Sequence, residues 1–515
     1  MSMIENEKNE NEMHSHGSYN RERGISGIRT DCGADYVLPD YMGDVKRLLR
    51  CTASVVPCNK FVSDGELSFL FDVNFKIMYL DSENMLTEAS FGTDFEHSER
   101  IAPGVNDASV DTRVHNVTVR LGGPRKISAK ASLLTDISLL EEERLPSEDS
   151  YRDARFRKES VRIHTADYYK CAEREYAEEL ERLENLVSDE VDVVKYDAEA
   201  YIDAVHHSDN GVNLSGYIDA YCILKAGEDL LRIERRIPVE ENLAVDDCGN
   251  DSFYLARCYV TGATLNINNT PEDKDGNVYL SVVMNLTLEC EAEHHRNCEV
   301  TLVTDAFREG EENVCSYETF NYNELVGVAF ERRKESASCE RGEENIHDIL
   351  AKHASVKNIK YEISDGELTA SFDLSLSLVA RSADNGECFT VKLESPFSEK
   401  IKSVGVSESS KIRINITPCE ISPAFDSERI YADCDVIITV LAEDAKSVKI
   451  LRELSSKKKE RTDCRRITVY YPENGDTLWS VSKKYGVSPE KIAYANMMEA
   501  DNGADLASRG KIIIP

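Results

Sequence analysis

The 515-residue sequence has no long apolar run. No stretch approaches the roughly 20 apolar residues that a membrane-spanning helix requires. The first segment, Met1 to Asn20, is polar and carries several Glu residues, so it lacks the apolar centre of a secretion signal. These absences predict a cytoplasmic protein without a transmembrane segment.

The sequence also lacks the motifs of common enzyme classes. It contains no Gly-x-Ser-x-Gly turn, no phosphate-binding glycine loop and no His-Glu-x-x-His. Carboxylates are abundant, but none lies in a context that marks a catalytic pair. We therefore expect no enzyme activity and no cofactor.

The 11 His residues form no ligand pattern. His206–His207 and His294–His295 are adjacent pairs, and adjacent residues of a strand point to opposite faces, so neither pair suits one ion. His14 and His16 lie in a polar N-terminal segment, where imidazoles are usually solvated. The sequence thus predicts surface or loop histidines and no metal site.

Net positive charge is absent as well. The 61 Lys and Arg face 95 Asp and Glu, which gives a formal net charge of −34. Nucleic acids and anionic membranes attract basic surfaces, so neither is expected as the main partner. The last segment, residues 457–515, is mildly basic, with 11 basic and 8 acidic residues.

Regularly spaced cysteine pairs are missing too. The 15 Cys are odd in number and scattered, and they include no Cys-x-x-Cys. Cys222, Cys290 and Cys434 lie in strand-like runs, where a thiol behaves as a small buried apolar group. Unpaired thiols are typical of a reducing compartment, which agrees with a cytoplasmic location.

The sequence does contain an internal repeat with a period of about 150 residues. Asp64 to Phe75, Asp209 to Ala220 and Asp365 to Leu376 each combine a glycine turn with an alternating apolar strand. A second hairpin follows each copy: Val114 to Leu121 with Ile127 to Leu140, Tyr259 to Ile267 with Val278 to Cys290, and Ile412 to Thr417 with Ile430 to Leu441. This pattern predicts a mainly β protein with three similar β-rich domains. Charged residues at helical spacing in Ala172 to Leu186 predict one short exposed helix.

The last segment predicts a small unit of a different type. Ile467 to Tyr471 alternates like a short strand, and Gly475-Asp476-Thr477 is a turn leading into a helix N-cap, where the Asp476 carboxylate is expected to face free backbone N–H groups. Leu478 to Tyr485 carries apolar residues at helical spacing, and Ser488-Pro489 starts a second helix. Ile512 to Ile514 is a closing strand, so the predicted order is strand, helix, helix, strand.

This C-terminal unit resembles a LysM domain in four pieces that agree in order and spacing. The four pieces are Gly475 to Ser480, Lys484 to Ser488, Asn496, and Ile512 to Pro515. The resemblance implies binding of N-acetylglucosamine-containing glycans in a shallow groove between two loops. The positions of that groove in this sequence are Gly475, Asp476, Thr477, Leu478, Met497, Met498, Glu499, Ala500 and Asp501. Some LysM domains bind proteins instead, so the type of ligand stays open.

Two more residues of this unit have alternative roles. Asn496 is expected to hold the end of a helix rather than to contact a ligand. Trp479, the only Trp of the chain, either stacks on a sugar ring or packs to anchor the domain, and packing is the favoured role.

Tandem copies before a terminal LysM-like unit resemble the SPOCS (DUF3794) repeats of SipL-like spore coat morphogenetic proteins. The resemblance divides the chain into a disordered tail (1–36), three SPOCS-like repeats (37–145, 146–295 and 296–450), a basic linker (451–466) and the LysM domain (467–515). It implies a non-enzymatic scaffold that assembles the spore coat around the forespore from the mother-cell cytoplasm. Its implied partners are the coat basement-layer ATPase and other spore coat proteins.

Two other functions stay open from the sequence. A peptidoglycan-binding protein at the cell wall or spore cortex would use the same unit to bind N-acetylglucosamine glycan. A wall hydrolase would use it as a targeting module, but it needs a catalytic domain that the sequence does not show.

Overall fold

The computed structural model describes residues 18–63, 65–144, 153–171, 173–184, 186, 188–208, 211–227, 229–245, 252–270, 279–342, 345–402, 405–458, 467–500 and 505–515. These residues are mainly β, as the sequence predicts, and α-helices occur in the C-terminal unit. No helix within the described ranges is long and apolar enough to cross a membrane.

The strands fall into three successive groups, each of which contains one copy of the sequence repeat. The first group is β1 (Ser18–Val37), β2 (Val45–Ser63), β3 (Glu66–Asp81), β4 (Leu86–Arg100), β5 (Val105–Gly123) and β6 (Lys126–Arg144). The second is β7 (Arg155–Lys170), β8 (Arg174–Glu184), β9 (Val191–Ser208), β10 (Gly211–Ala226), β11 (Asp229–Leu243), β12 (Phe253–Asn269) and β13 (Tyr279–Phe307). The third is β14 (Glu311–Glu340), β15 (Ile346–Ser364), β16 (Glu367–Ser382), β17 (Cys388–Ile401), β18 (Lys411–Phe425) and β19 (Arg429–Lys458).

Each repeat is built from two antiparallel sheets. In the first repeat, β2-β3-β4 forms one sheet and β1-β6-β5 forms the other. The second repeat has β9-β10-β11, together with β12 and β8 on either side of the first half of β13. The third has β15-β16-β17 and β14-β19-β18. The same strand order therefore recurs three times.

The middle strand of the first sheet shows how the sequence pattern produces this fold. In β3, Leu67, Phe71 and Phe75 are at most 2% exposed and point into the core of the first repeat. The strand has a period of two residues, so these alternating side chains share one face. The turns before β3 and β16 place Gly65 and Gly366 at φ of 87° and 78°, a conformation that glycine adopts without steric cost.

The predicted disordered tail is wrong for residues 18–36. They form β1, which pairs with β6 along its length. Cys32 is buried in the core of the first repeat, and Ile28 and Tyr36 pack against that core. Interspersed glycines and charges hide the alternation in the sequence, and the ladder with β6 supplies the missing stabilisation. Residues 1–17, which include the two N-terminal histidines, lie outside the described residues.

The predicted helix within 172–186 is also wrong. Residues 174–184 form β8, which pairs antiparallel with β13. Leu180 is buried in the core of the second repeat, and Tyr176 and Leu183 pack against it. A ladder with β13 and burial of this face outweigh a weak helical pattern of charges, because tertiary packing commonly overrides local propensity.

Besides the boundary at 36/37, which lies within β1, two further predicted domain boundaries fall inside continuous strands. The boundary at 295/296 lies within β13, and the boundary at 450/451 lies within β19. The second half of β13 pairs with β7, and the second half of β19 pairs with the first half of β14. These ladders therefore continue across the predicted boundaries, and residues 451–458 of the predicted basic linker belong to β19. Residues 459–466 lie outside the described residues.

The three repeats also share a buried cluster, which we call the central core. Met78, Ile223 and Val379 occupy the same position in β3, β10 and β16, and each is at most 1% exposed. The other members of the central core are Leu49, Leu80, Leu86, Leu350, Ala351 and Cys388. The middle strands of all three repeats thus meet in one apolar contact.

The histidine pairs behave differently from each other. His206 and His207 are exposed, as predicted. The prediction of a surface or loop position is wrong for His294 and His295, which are both 0% exposed. β12 and β7 pair with β13 on either side at these positions, and His294 stacks on Tyr254 while His295 contacts Glu22 of β1.

Two cysteines depart from the expectation of free thiols. Cys258 and Cys290 face each other on β12 and β13 and are joined by a disulfide bond. Cys222 and Cys434 are buried thiols, as the sequence predicts, and burial raises the pKa of each to about 12.

We expect non-reducing peptide mapping of alkylated protein to recover Cys258 and Cys290 in one linked peptide. Reduction should lower the free energy of unfolding by about 2–4 kcal/mol, because the bond restricts the unfolded chain. Urea unfolding with and without reductant measures this difference. Cys258→Ser should abolish the sensitivity to reductant, whereas the control Cys58→Ser should keep it. Complete alkylation of both cysteines in the native, unreduced protein would contradict the bond.

Candidate functional site

The C-terminal unit contains β20 (Thr468–Tyr470), α1 (Leu478–Tyr485), α2 (Pro489–Ala495) and β21 (Ile512–Ile514), in the predicted order. β20 and β21 pair antiparallel, and Leu478, Ile492 and Ile512 form part of a separate small core. The helices start where predicted, but the side chain that caps α1 is that of Thr477, and the Asp476 carboxylate bonds to Tyr470 and Glu473 instead. The side chains of Thr477 and Ser488 accept hydrogen bonds from the first turns of α1 and α2, which satisfies free backbone donors there.

The structure brings the two predicted groove loops to one edge of this unit. Thr477 forms an isolated antiparallel bridge with Asp505. The backbone N–H of Leu506 donates to the carbonyl oxygen of Asp476 at 2.9 Å. Residues 505–506 end the second loop, so that loop is fastened to the first one. Asp501, the last of the predicted groove residues, lies outside the described residues.

The predicted groove residues divide into exposed and structural ones. The exposed ones are Gly475, Met497, Glu499 and Ala500. Leu478 is 0% exposed inside the small core, and Met498 packs against that core. Leu478 and Met498 therefore contribute to the packing of the C-terminal unit, whereas the four exposed residues are accessible to solvent.

Asp476 maintains the shape of the first loop. Its carboxylate accepts hydrogen bonds from the Tyr470 hydroxyl at 2.6 Å and from the backbone N–H of Glu473 at 2.9 Å. These hydrogen bonds, the one from Tyr470 above all, hold the pKa of Asp476 below its usual value. The carboxylate is therefore ionised near neutral pH and positions the loop around Gly475.

Asn496 is a helix-end residue, as predicted. Its amide nitrogen donates to the carbonyl oxygens of Ile492 at 2.8 Å and Ile513 at 2.7 Å. Its side-chain oxygen accepts from the backbone N–H of Ile513 at 2.7 Å. The side chain thus ties the end of α2 to β21.

Trp479 does not face the groove. It is 3% exposed and lies in an edge-to-face contact with Phe307 of β13, at a centroid distance of 5.1 Å. Its indole N–H donates to the Asp305 carboxylate at 2.8 Å. The favoured packing role is therefore the one observed, but the packing joins the C-terminal unit to the end of β13.

Charged groups complete this contact, which we call the docking contact. Lys483 binds both Asp305 and the Tyr317 hydroxyl, and the Tyr317 hydroxyl donates to Asp305 at 2.7 Å. Burial alone would raise the pKa of Asp305, but hydrogen bonds from Lys483, Trp479 and Tyr317 lower it below its usual value. The ionised Asp305 is thus the centre of the docking contact.

A second set of polar interactions borders the docking contact. The backbone N–H of Gly310 donates to the carbonyl oxygen of Gly486 at 2.8 Å. Glu309 lies between Lys491 of α2, at 2.7 Å, and Arg155, at 2.9 Å. The C-terminal unit is therefore held through α1 and α2, on a side that leaves the exposed groove residues uncovered.

Sequence reasoning did not identify Asp305 or Tyr317 as partners of the C-terminal unit. Both residues lie in alternating strand segments, where acidic and aromatic residues are common. Their partner Lys483 is more than 160 residues away along the chain. No local pattern marks a contact over that separation, so only the fold shows it.

Comparison with known proteins assigns the C-terminal unit. Residues 473–515 match the LysM domain family, which agrees with the resemblance seen in the sequence. No curated protein and no solved structure gives a match to the chain. LysM domains are carbohydrate-binding modules rather than catalytic ones, so the chain carries a module of the glycan-binding type.

Proposed function

We propose that the chain is a non-enzymatic scaffold of the spore coat, which docks coat material to the forespore surface through its LysM domain. The observation that carries this proposal is the docking contact. Asp305, Trp479 and Lys483 fix the LysM domain to the β-rich body while its two loops stay exposed. A module held in one orientation on a large body suits a structural role.

The architecture of the body supports a scaffold. Three repeats with the same strand order precede the LysM domain, which is the arrangement of the SPOCS-containing proteins that the sequence resembles. Large exposed β surfaces on a common core offer several sites for other coat proteins. In this proposal the protein acts on the mother-cell side of the forespore surface.

Two exposed apolar side chains beside the second loop favour a protein as the ligand. Tyr494 is 89% exposed and Met497 is 97% exposed. Aromatic residues and Met are enriched in protein–protein interfaces, where a few buried anchors supply most of the binding energy. The proposed partner of this surface is the coat basement-layer ATPase.

Binding of N-acetylglucosamine-containing glycan is the second candidate, and the match to the LysM family favours it. In this function the exposed loop residues around Gly475 and Met497 would contact the sugar. The protein would then act at peptidoglycan of the cell wall or the spore cortex.

A double substitution, Tyr494→Asp with Met497→Asp, is expected to weaken binding of the full chain to the purified coat ATPase by at least about 30-fold. Loss of one interface anchor typically costs 2 kcal/mol or more, and each 1.4 kcal/mol is tenfold in affinity. Calorimetric titration of wild type and variant measures the change. Tyr41→Asp is the control, because Tyr41 is 87% exposed and lies between β1 and β2, outside the LysM domain.

The same titrations with chitin oligomers separate the two candidate functions. The scaffold proposal expects the ATPase to bind more tightly than the oligomers. Micromolar binding of the oligosaccharide together with no binding of the ATPase would refute the protein-docking role, and the glycan role would take its place. Circular dichroism of each variant establishes that the LysM domain is still folded.

A further inference from the structure

A buried polar cluster lies where strands of all three repeats meet, at a distance from the LysM domain. We call it the His–Glu cluster. Its members are Glu22 on β1, His164 on β7, Glu293 and His295 on β13, Arg413 on β18 and Glu443 on β19. The side chains of His164 and His295 are at most 1% exposed, and those of the three glutamates are at most 9% exposed. Groups of this polarity are rarely buried unless they have a specific partner.

Three ligand atoms of the cluster converge on one point. Nε2 of His164 lies 3.1 Å from Nδ1 of His295, which lies 3.6 Å from Oε2 of Glu22. All three residues offer a ligand atom within 4.8 Å of the others. Ligand atoms that are each about 2.0–2.2 Å from one tetrahedral Zn²⁺ lie about 3.3–3.6 Å apart. The spacing therefore fits a shared metal ion after small side-chain adjustments.

A carboxylate contacts each imidazole ring at the nitrogen that faces away from the shared point. Nδ1 of His164 contacts Glu443, and Nε2 of His295 lies 3.3 Å from Oε2 of Glu293. If each carboxylate accepts a ring N–H, the two remaining nitrogens face each other with lone pairs. That arrangement is repulsive without a cation and is the usual arrangement of histidines that ligate a metal.

Arg413 permits a competing proton arrangement. Its guanidinium lies 2.9 Å from Nε2 of His295 and also contacts Glu22 and Glu293. A guanidinium can only donate, so this hydrogen bond requires a proton on Nδ1 of His295 instead. His295 would then donate to Nε2 of His164, and no metal would be needed.

The balance of charge decides between the two arrangements. The carboxylates of Glu22, Glu293 and Glu443 are opposed by the guanidiniums of Arg413 and Arg257. Arg257 is also shared with Asp111 at 2.9 Å. Negative charge therefore exceeds positive charge in a buried space, where unpaired charge is costly. A divalent cation between the two imidazoles removes both the excess charge and the repulsion of the lone pairs.

We propose that Glu22, His164 and His295 bind a divalent transition-metal ion. Two imidazoles and one carboxylate suit Zn²⁺, which accepts nitrogen and oxygen ligands at these distances. The ligands come from β1, β7 and β13, and Glu443 supports His164 from β19. The ion therefore fastens the N-terminal strand to the second and third repeats, and its role is structural.

The direct test is metal analysis of the full chain, purified without a histidine tag, by inductively coupled plasma mass spectrometry. We expect about one Zn²⁺ per chain. After removal with a chelator, the protein should rebind Zn²⁺ in calorimetric titration, and rebinding should raise the unfolding temperature. Co²⁺ should bind in place of Zn²⁺ and give the visible absorption of a site with nitrogen ligands.

Variants locate the ion. His164→Gln and Glu22→Gln should each abolish stoichiometric binding. Glu443→Gln, which removes a supporting carboxylate, should weaken it about 10- to 100-fold. The double variant His14→Gln with His16→Gln is the matched control and should bind like wild type.

Two outcomes would overturn the proposal. One is wild-type protein that neither contains nor rebinds Zn²⁺ or Co²⁺, which would establish the shared proton between the two imidazoles. The other is stoichiometric binding that survives in His164→Gln. If a variant fails to fold, the titration of chelated wild type still decides the question.

Discussion

Replacement of Ile223 by Asp is expected to unfold the whole β-rich body. Ile223 is 0% exposed and meets Met78 and Val379 from the other two repeats in the central core. A carboxylate at this place would be buried without a partner, which belongs to the class of changes that cost more than about 4 kcal/mol. Because a typical domain is stable by only about 5–15 kcal/mol, the loss is large.

Urea unfolding followed by far-ultraviolet circular dichroism measures this loss. Val193→Asp is the matched control, since Val193 lies on the neighbouring strand β9 but is 43% exposed. Amide hydrogen exchange shows which strands lose protection in the variant. In Ile223→Asp, protection should fall in β3 and β16 as well as in β10. If protection is lost in the second repeat alone, the repeats are independent and the shared core does not couple them.

Replacement of Asp305 by Ala is expected to release the LysM domain from the body. The substitution removes the acceptor of Trp479, Lys483 and Tyr317 and leaves the Lys483 ammonium, 22% exposed, without its main partner. Breaking a largely buried charge pair on one side costs about 3–5 kcal/mol, which corresponds to about 100-fold or more in the docking equilibrium. Trp479 is the only Trp of the chain, so its fluorescence reports this contact directly. Emission should shift to the red, and quenching by acrylamide should increase.

Glu309→Ala is the control for this experiment. The ion pairs of Glu309 with Arg155 and Lys491 lie at the partly exposed border, so each should contribute less than about 1 kcal/mol to the docking free energy.

The pH dependence of Trp emission gives a second check. The pKa of Asp305 is lowered in the folded protein, so its stabilisation is present above the ordinary value of about 3.9 and is lost as the pH falls below it. Trp emission should therefore stay constant from neutral pH to about pH 5. A Trp that is already accessible to quencher in the wild type would show that the contact does not form in solution.

The local structure was largely predictable from the sequence. Alternation in β3 and β16, the glycine turns before them, and the cap Ser488 are local features, and the structure confirms each. The match of residues 473–515 to the LysM family confirms the assignment of the C-terminal unit. Each of these features depends on residues only a few positions apart, where spacing alone carries the information.

The features that the sequence did not reveal depend on pairing over long separations. β1 and β8 have weak patterns of their own and become strands because β6 and β13 offer free edges. His295 contacts Glu22 of β1 and Arg413 of β18, which belong to other repeats, and Cys258 meets Cys290 only through the register of β12 with β13. In the groove, exposure separates Met497 from Met498, although both lie in the same predicted loop. Spacing along the chain does not determine which of two neighbouring residues faces inward.

The long pairing of β14 with β19 also determines how the molecule carries a load. The ladder extends from Glu340 opposite Arg429 to Glu311 opposite Lys458, beside the docked LysM domain. Interstrand hydrogen bonds are perpendicular to the strands, so a pull along β19 stretches many of them in parallel rather than opening them one at a time. A ligand that pulls on the LysM domain therefore loads the β14–β19 ladder in shear. The force is shared among many interstrand hydrogen bonds of the third repeat.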